Sequence, residues 1–292
     1  MRFALPTAAA PDWDFATAAA RAKELGYDGV DVRGYLDEPS PTAHNVFLTN
    51  PAKVREGFDT AGIPVACLST GVSMGRTREE QEAGANRVRR CVDVAEVLGA
   101  NVVRIRDRLV ARGVGHLAAA AEFGRWIAPL ADYATGRGVT IAVENALSFR
   151  TAREMWTALD NAHHPAVGAA WNPACAAAVG ETPAVSVPTL NGKIVYALAS
   201  DATLAGTPSP ARPAAMGFAD LGQGAARVRD FVIRLMGIGY RGWACPDPAG
   251  AIAGTPEQYL SAAIAALRGW TTPPAPPKVV RPVHPPAKVA AK

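Results

Sequence analysis

A chain of 292 residues, 49% hydrophobic and 19% charged, has material for one large α/β domain, and a closed barrel needs ~250 residues. Its formal charge is +4, and Lys278, Arg281, Lys288 and Lys292 alone supply +4, so +4 minus +4 leaves residues 1–270 neutral and gives no support to a nucleic-acid groove. The four cysteines, Cys67, Cys91, Cys175 and Cys245, form no CxxC pair, and no signal-peptide core or run of ~20 apolar residues is present. The expectation is a reduced, cytoplasmic protein without a membrane segment.

In chain order, Arg2–Leu5 reads as a first short strand. One local pattern then recurs: a helix ends at a glycine, and an apolar strand starts within a few residues. It appears around Gly26 before Val30-Asp31-Val32, around Gly62 before Val65-Ala66-Cys67-Leu68, and around Gly99 before Val102-Val103-Arg104-Ile105. It returns around Gly138 before Val139-Thr140-Ile141-Ala142-Val143-Glu144-Asn145, and around Gly239 before Trp243-Ala244-Cys245. Glycine just past a helix adopts the left-handed conformation that closes the last turn. Ala166–Trp171 and Lys193–Ala197 complete eight strands. Eight strands alternating with helices imply repeated right-handed crossovers and a (β/α)8 TIM barrel over residues 1–270. No GxGxxG or GxxxxGK[ST] motif favours an open nucleotide-binding sheet.

Thr77-Arg78-Glu79-Glu80 has the capping-box pattern, followed by Val88, Val92 and Ala95 on one face. Phe123, Ile127, Leu130 and Ala134 repeat that spacing, with Pro129 expected to kink or tighten the helix. The long stretches 34–50 and 200–222 leave the C-terminal ends of strands, and loops of that length are usually functional covers or disordered excursions. From Thr271 onward seven prolines and no apolar periodicity predict a disordered tail, 271–292.

Active sites of parallel barrels lie at the C-terminal ends of the strands. Glu144 falls there, and Arg104 and Arg106 alternate so that both face one way, into the barrel mouth. They are expected to bind an anionic substrate group or to balance Glu144. Asn145 is a further expected substrate contact.

The succession LGYDGVDV, AEVLGANVVRI, VTIAVEN, VGAAWNPAC, SDA, DLGQG and MGIGYRGWACPD resembles the sugar phosphate isomerase/epimerase family over roughly residues 1–270. These are xylose isomerase-like TIM barrels and include hydroxypyruvate isomerase, ketose 3-epimerases and inosose dehydratase. The resemblance implies one divalent metal held by Glu, Asp, His and Glu from four strand ends. The metal polarises a carbonyl while the two Glu carboxylates move the adjacent proton. Glu144 matches the first Glu. Asn172, in Trp171-Asn172-Pro173, stands at the Asp position, and Asp247, seven residues after Tyr240, stands at the last Glu. The His position, three before Asp201, is Leu198, and the intervening Lys is Ser200. Cys175 takes a position that often touches substrate. Arg33 and Asp31, at the second strand's exit, stand where the resemblance implies substrate-binding polar groups.

The implied metal set is therefore Glu144, Asn172 and Asp247, with Asp201 as a fourth ligand. All are oxygen donors, which favours magnesium or manganese. Glu144 and Asp247 are the expected catalytic pair. The bland readings stand beside these: Glu144 as an ion-paired residue, Asn172 bonded to loop backbone, Asp247 in a turn, and Asp201 as a cap. His44 in the second-strand loop is a weaker candidate. The implied activity is isomerisation or epimerisation of a small sugar or hydroxy-ketone, by a protein that pairs as a homo-oligomer. The alternative is a catalytically impaired barrel with a binding or assembly role. A metal-dependent endonuclease of the endonuclease IV kind would need many histidines and a basic face, and the chain has neither.

Overall fold

The computed structural model describes residues 1–33 and 45–272. The predicted positions 34–44, with His44, and the tail beyond Thr272 lie outside the described residues. Eight parallel strands close into a barrel: β1 (Arg2–Pro6), β2 (Gly29–Arg33), β3 (Val65–Ser69), β4 (Val102–Arg106), β5 (Thr140–Glu144), β6 (Val167–Trp171), β7 (Ile194–Leu198) and β10 (Trp243–Cys245). The (β/α)8 expectation is met.

Helices α1 (Phe15–Leu25), α2 (Asn45–Thr49), α3 (Pro51–Ala61), α4 (Arg78–Leu98), α5 (His116–Thr135) and α6 (Ala152–Ala162) follow the first five strands. Then come α7 (Pro173–Ala177), α8 (Pro183–Leu190), α9 (Val228–Gly237) and α10 (Pro256–Thr271). The Thr77–Glu80 capping box forms in full, and α1, α3 and α4 end at left-handed Gly26, Gly62 and Gly99. Helix α5 runs unbroken through Pro129. The stretch 200–222 is not structureless. It carries an antiparallel hairpin, β8 (Ala202–Ala205) with β9 (Ala215–Phe218). Two four-residue strands, one holding Gly217, are too short for a readable period.

Inner-face positions follow from the two-residue alternation of strands. Stepping by two gives Asp31 and Arg33, Arg104 and Arg106, Ala142 and Glu144, Tyr196 and Leu198, and Cys245 and then Asp247. A compact cluster that includes Ala4, Cys67, Val102, Ala142, Ala170, Tyr196, Leu198 and Cys245 fills the barrel. The larger apolar cluster lies between strands and helices. A barrel whose interior is packed in this way can hold a site only where packing stops, at the C-terminal ends.

Packing of α5 against α6 depends on Gly124. A Cβ there would come within 2.3 Å of the Ala158 carbonyl and 2.7 Å of the Asn161 Cβ. Gly124→Ala is expected to destabilise the fold by about 1–3 kcal/mol through this overpacking, read as a lowered urea midpoint with an unchanged m-value.

Candidate active site

The C-terminal end of the barrel is organised by Arg104. Its side chain is 1% exposed. Nε donates to Ser69 Oγ at 2.8 Å and lies 3.7 Å from Glu144 Oε2. Nη1 donates to Asp247 Oδ2 at 3.2 Å, and Nη2 lies 3.8 Å from Asp31 Oδ2. Burial opposes the charge on Arg104, but Asp31, Glu144 and Asp247 outweigh it and hold the guanidinium's pKa well above its ordinary value. Asp31 is braced in turn by Ser69 Oγ, donating at 2.5 Å, and by Tyr196 Oη, donating at 2.7 Å. Burial, and then Asp31, push the Tyr196 phenol upward, so it stays a donor.

Asp247 is shared. Arg33 Nη1 donates to its Oδ2 at 2.5 Å, beside the bond from Arg104, while its buried Oδ1 has no hydrogen-bond partner among the described residues. Such an orphan oxygen in a folded interior asks for a donor. The backbone of Asp247 turns back on Cys245, as a loop residue. Glu144 reaches the site from the end of β5, with its side chain 7% exposed and only the ion contact to Arg104 among the described residues.

Above this floor lies a cavity of about 270 Å³. Its wall includes Arg33, Arg106, Glu144, Asn172, Cys175, Ser200, Met216 and Asp247. Met216 comes from the β8–β9 hairpin, so that stretch supplies part of the wall. Burial, and then the Glu144 charge, push the Cys175 thiol upward, so it is an inert wall group. The volume sits just below the ~300 Å³ at which ordinary ligand pockets begin.

The structure brings together Glu144, Asp247, Arg33, Arg106 and Asn172. Three other expected contacts lie off the cavity. Arg104, expected either to bind an anionic substrate group or to balance Glu144, does the second and not the first: it is packed behind the cavity wall as the partner of three carboxylates. Asn145, read the same way, is fully buried: Nδ2 donates to Asn172 O at 3.0 Å and Oδ1 accepts from Asn172 N at 2.7 Å, tying β5 to β6. Asp201, read as a fourth metal ligand, is a loop clasp. Its Oδ1 accepts from the backbone of Ala202 and Ala226, and its Oδ2 from Gly222 and Gly224. Four donors fill the roughly four lone-pair positions of a carboxylate.

A family model for the xylose isomerase-like TIM barrel matches residues 19–270. The chain belongs to the xylose isomerase-like TIM barrel family. Solved structures agree on the fold. One is the 3-keto-D-glucoside 4-epimerase YcjR from E. coli, 13% identical, with TM-score 0.72 over 92% of this chain and 99% of that one. Another is the IOLI protein with a bound zinc atom, 16% identical, with TM-score 0.75 over 92% and 98%. A third is D-allulose 3-epimerase from Methylomonas sp. in complex with D-allulose, 16% identical, with TM-score 0.70 over 92% and 96%. No curated protein matches the chain.

The family's metal does not fit the residues present. Leu198, at the histidine position, is fully buried in the barrel packing and has no donor atom. Asn172 Oδ1 accepts from Ala174 N at 3.0 Å and Cys175 N at 3.4 Å, capping α7. No group of three or more His, Cys, Asp or Glu among the described residues is arranged to hold an ion.

One functional residue carried no sequence signal. Asp107, just beyond β4, accepts from Leu147 N, Ser148 N and Phe149 N at 2.6, 2.7 and 2.5 Å, fixing the loop after Glu144. Burial pushes its pKa up to about 7, against the pull of these three backbone donors. The folded value exceeds the unfolded ~3.9, so the native state binds this proton more tightly. Its stabilising contribution is full below about pH 4 and is lost as pH rises through about 7. Asp107→Asn mimics the protonated form. The variant's stability relative to wild type is therefore expected to rise between pH 5 and pH 8, measured by urea midpoints; a gap independent of pH would refute the shift.

Proposed function

We propose that the cavity takes a small sugar or hydroxy-ketone and that Glu144 moves the proton on the carbon next to its carbonyl. The observation that carries this is the contrast between the two carboxylates. Asp247 Oδ2 is held by two arginines, whereas the Glu144 side chain lines the cavity with only the 3.7 Å ion contact to Arg104 among the described residues. A carboxylate with open valence at the edge of a small polar pocket is the one able to accept a carbon-bound proton.

Asp247 Oδ2 anchors Arg33 on the cavity wall, so this carboxylate acts on substrate binding through that arginine. Arg106, on the wall and without an ion pair among the described residues, faces the carbonyl oxygen or a phosphate or carboxylate on the substrate. The neighbours described as a 3-keto-D-glucoside 4-epimerase and a D-allulose 3-epimerase support a carbohydrate over other small molecules. A binding role without turnover is the second reading, favoured by Leu198 where the family has an imidazole.

The test is solvent-deuterium incorporation into a panel of aldoses, ketoses, 3-keto sugars and their phosphates, followed by mass spectrometry. Wild type is expected to label at least one compound at carbon next to the carbonyl, and Glu144→Gln to slow that labelling by about 10²–10⁴-fold. Asp247→Asn is expected to act mainly through KM. Saturable binding without exchange in any compound would leave the binding reading standing instead. Arg106→Ala is expected to weaken phosphorylated or acidic ligands by about tenfold or more and neutral ones little, as read by calorimetry.

A further inference from the structure

The site has a cation, but it is part of the chain. Of the four positions at which the family resemblance implies metal ligands, Glu144 and Asp247 keep carboxylates. Both lie against the Arg104 guanidinium, at 3.7 and 3.2 Å. The same group reaches Asp31 at 3.8 Å, so one buried cation meets three carboxylates from β2, β5 and the loop after β10. The other two positions offer nothing to a metal. Leu198 is apolar, and Asn172 Oδ1 is engaged by two backbone N–H groups.

Formal charges agree. Asp31, Glu144 and Asp247 sum to −3, and Arg104 with Arg33 to +2, leaving −1, which Arg106 on the wall brings to zero. A divalent ion would add +2 to a neutral cluster and would have to compete with a guanidinium held in place by Ser69. Arginine suits the task because it stays charged when buried and presents several donors in one plane.

We infer that Arg104 is the resident cation of this site, and that the protein takes no divalent metal between Glu144 and Asp247. This rests on the site location given above, not on turnover. Arg104 is a positioning residue: it does not face the cavity, and it acts by holding the two carboxylates at its floor. Negative charge that develops on a substrate oxygen would then meet Arg106 and Arg33 on the cavity wall in place of a metal ion.

The experiment is a manganese titration of the full-length chain after chelation and desalting. It is followed by the electron paramagnetic resonance signal of free Mn(II) and by thermal melting. Wild type is expected to bind no stoichiometric Mn(II) up to about 1 mM and to keep its Tm within about 1 °C, whereas a site filled to ~100 times its Kd would raise Tm by several degrees. Arg104→Ala, which leaves three carboxylates without their cation, is expected to melt well below wild type and to recover part of the loss on adding Mn(II). If that variant does not fold, the wild-type titration decides alone. One Mn(II) per wild-type chain, lost in Glu144→Gln, overturns the inference, as does a folded Arg104→Ala whose melting Mn(II) leaves unmoved. Every readout is binding or melting, so the result stands whether or not a sugar is turned over.

Discussion

A guanidinium with 1% of its side chain exposed cannot remain in a protein interior unless its charge is met. The upper end of this barrel is built around that requirement. Strand alternation sends both Arg104 and Arg106 inward from β4, but only Arg106 is high enough to reach the cavity. Arg104 is left inside, where Asp31, Glu144 and Asp247 surround it. The dependence runs both ways. Three carboxylates at the mouth of one barrel would repel one another and lose their hydration, at a penalty of several kcal/mol per ion. Ser69 accepts from Arg104 and donates to Asp31, and Tyr196 donates to Asp31, tying the cation and this carboxylate into one network.

This arrangement separates two carboxylates that the family resemblance treats as a pair. The aspartate at position 247 has a shorter arm than the glutamate it replaces, and both arginines close on one of its oxygens. Its other oxygen is buried, with no hydrogen-bond partner among the described residues. Glu144 has the longer arm, a single distant ion contact and an opening to the cavity. The same cation therefore fixes one carboxylate as an anchor and leaves the other facing the cavity.

Much of the fold was legible because it is written locally. Gly26, Gly62 and Gly99 sit just past helices, where positive φ is needed, and each announces the strand that follows. Glu144 was legible for a related reason, since a carboxylate at the end of a buried apolar strand in a parallel barrel has one place to be. The pairing of Arg104 with Glu144 and the capping role of Asp201 were among the open readings, but the wider partnerships of Arg104, Asp107 and Asp201 were not, because those partners are remote in sequence. Arg104 meets Asp247 across 143 positions, and Asp107 meets Ser148 across 41. No periodicity records such pairings. A weak signal did exist: Asp31, Ser69, Arg104 and Tyr196 are all polar residues at inward positions of apolar strands. Polar side chains inside a barrel must find one another, and here they do.

Lone-pair occupancy is what separates a ligand from a brace among the polar residues at this end of the barrel. Asp201 accepts four backbone N–H groups, Asp107 three, and the amide oxygens of Asn145 and Asn172 are engaged by backbone N–H groups as well. Asp201, Asn145 and Asn172 look like metal or substrate contacts when only type and position are considered, yet they, like Asp107, are occupied in holding the loop that follows a strand. Among the charged residues described on the cavity wall, open capacity remains on the Glu144 carboxylate and on Arg106. Those are one anionic acceptor and one cationic donor at a space of about 270 Å³. Such a set complements a ligand bearing hydroxyl donors on one side and a carbonyl or anionic oxygen on the other. The loop braces matter to that complement as much as the open groups do, because a pocket this small discriminates only if its walls keep their positions.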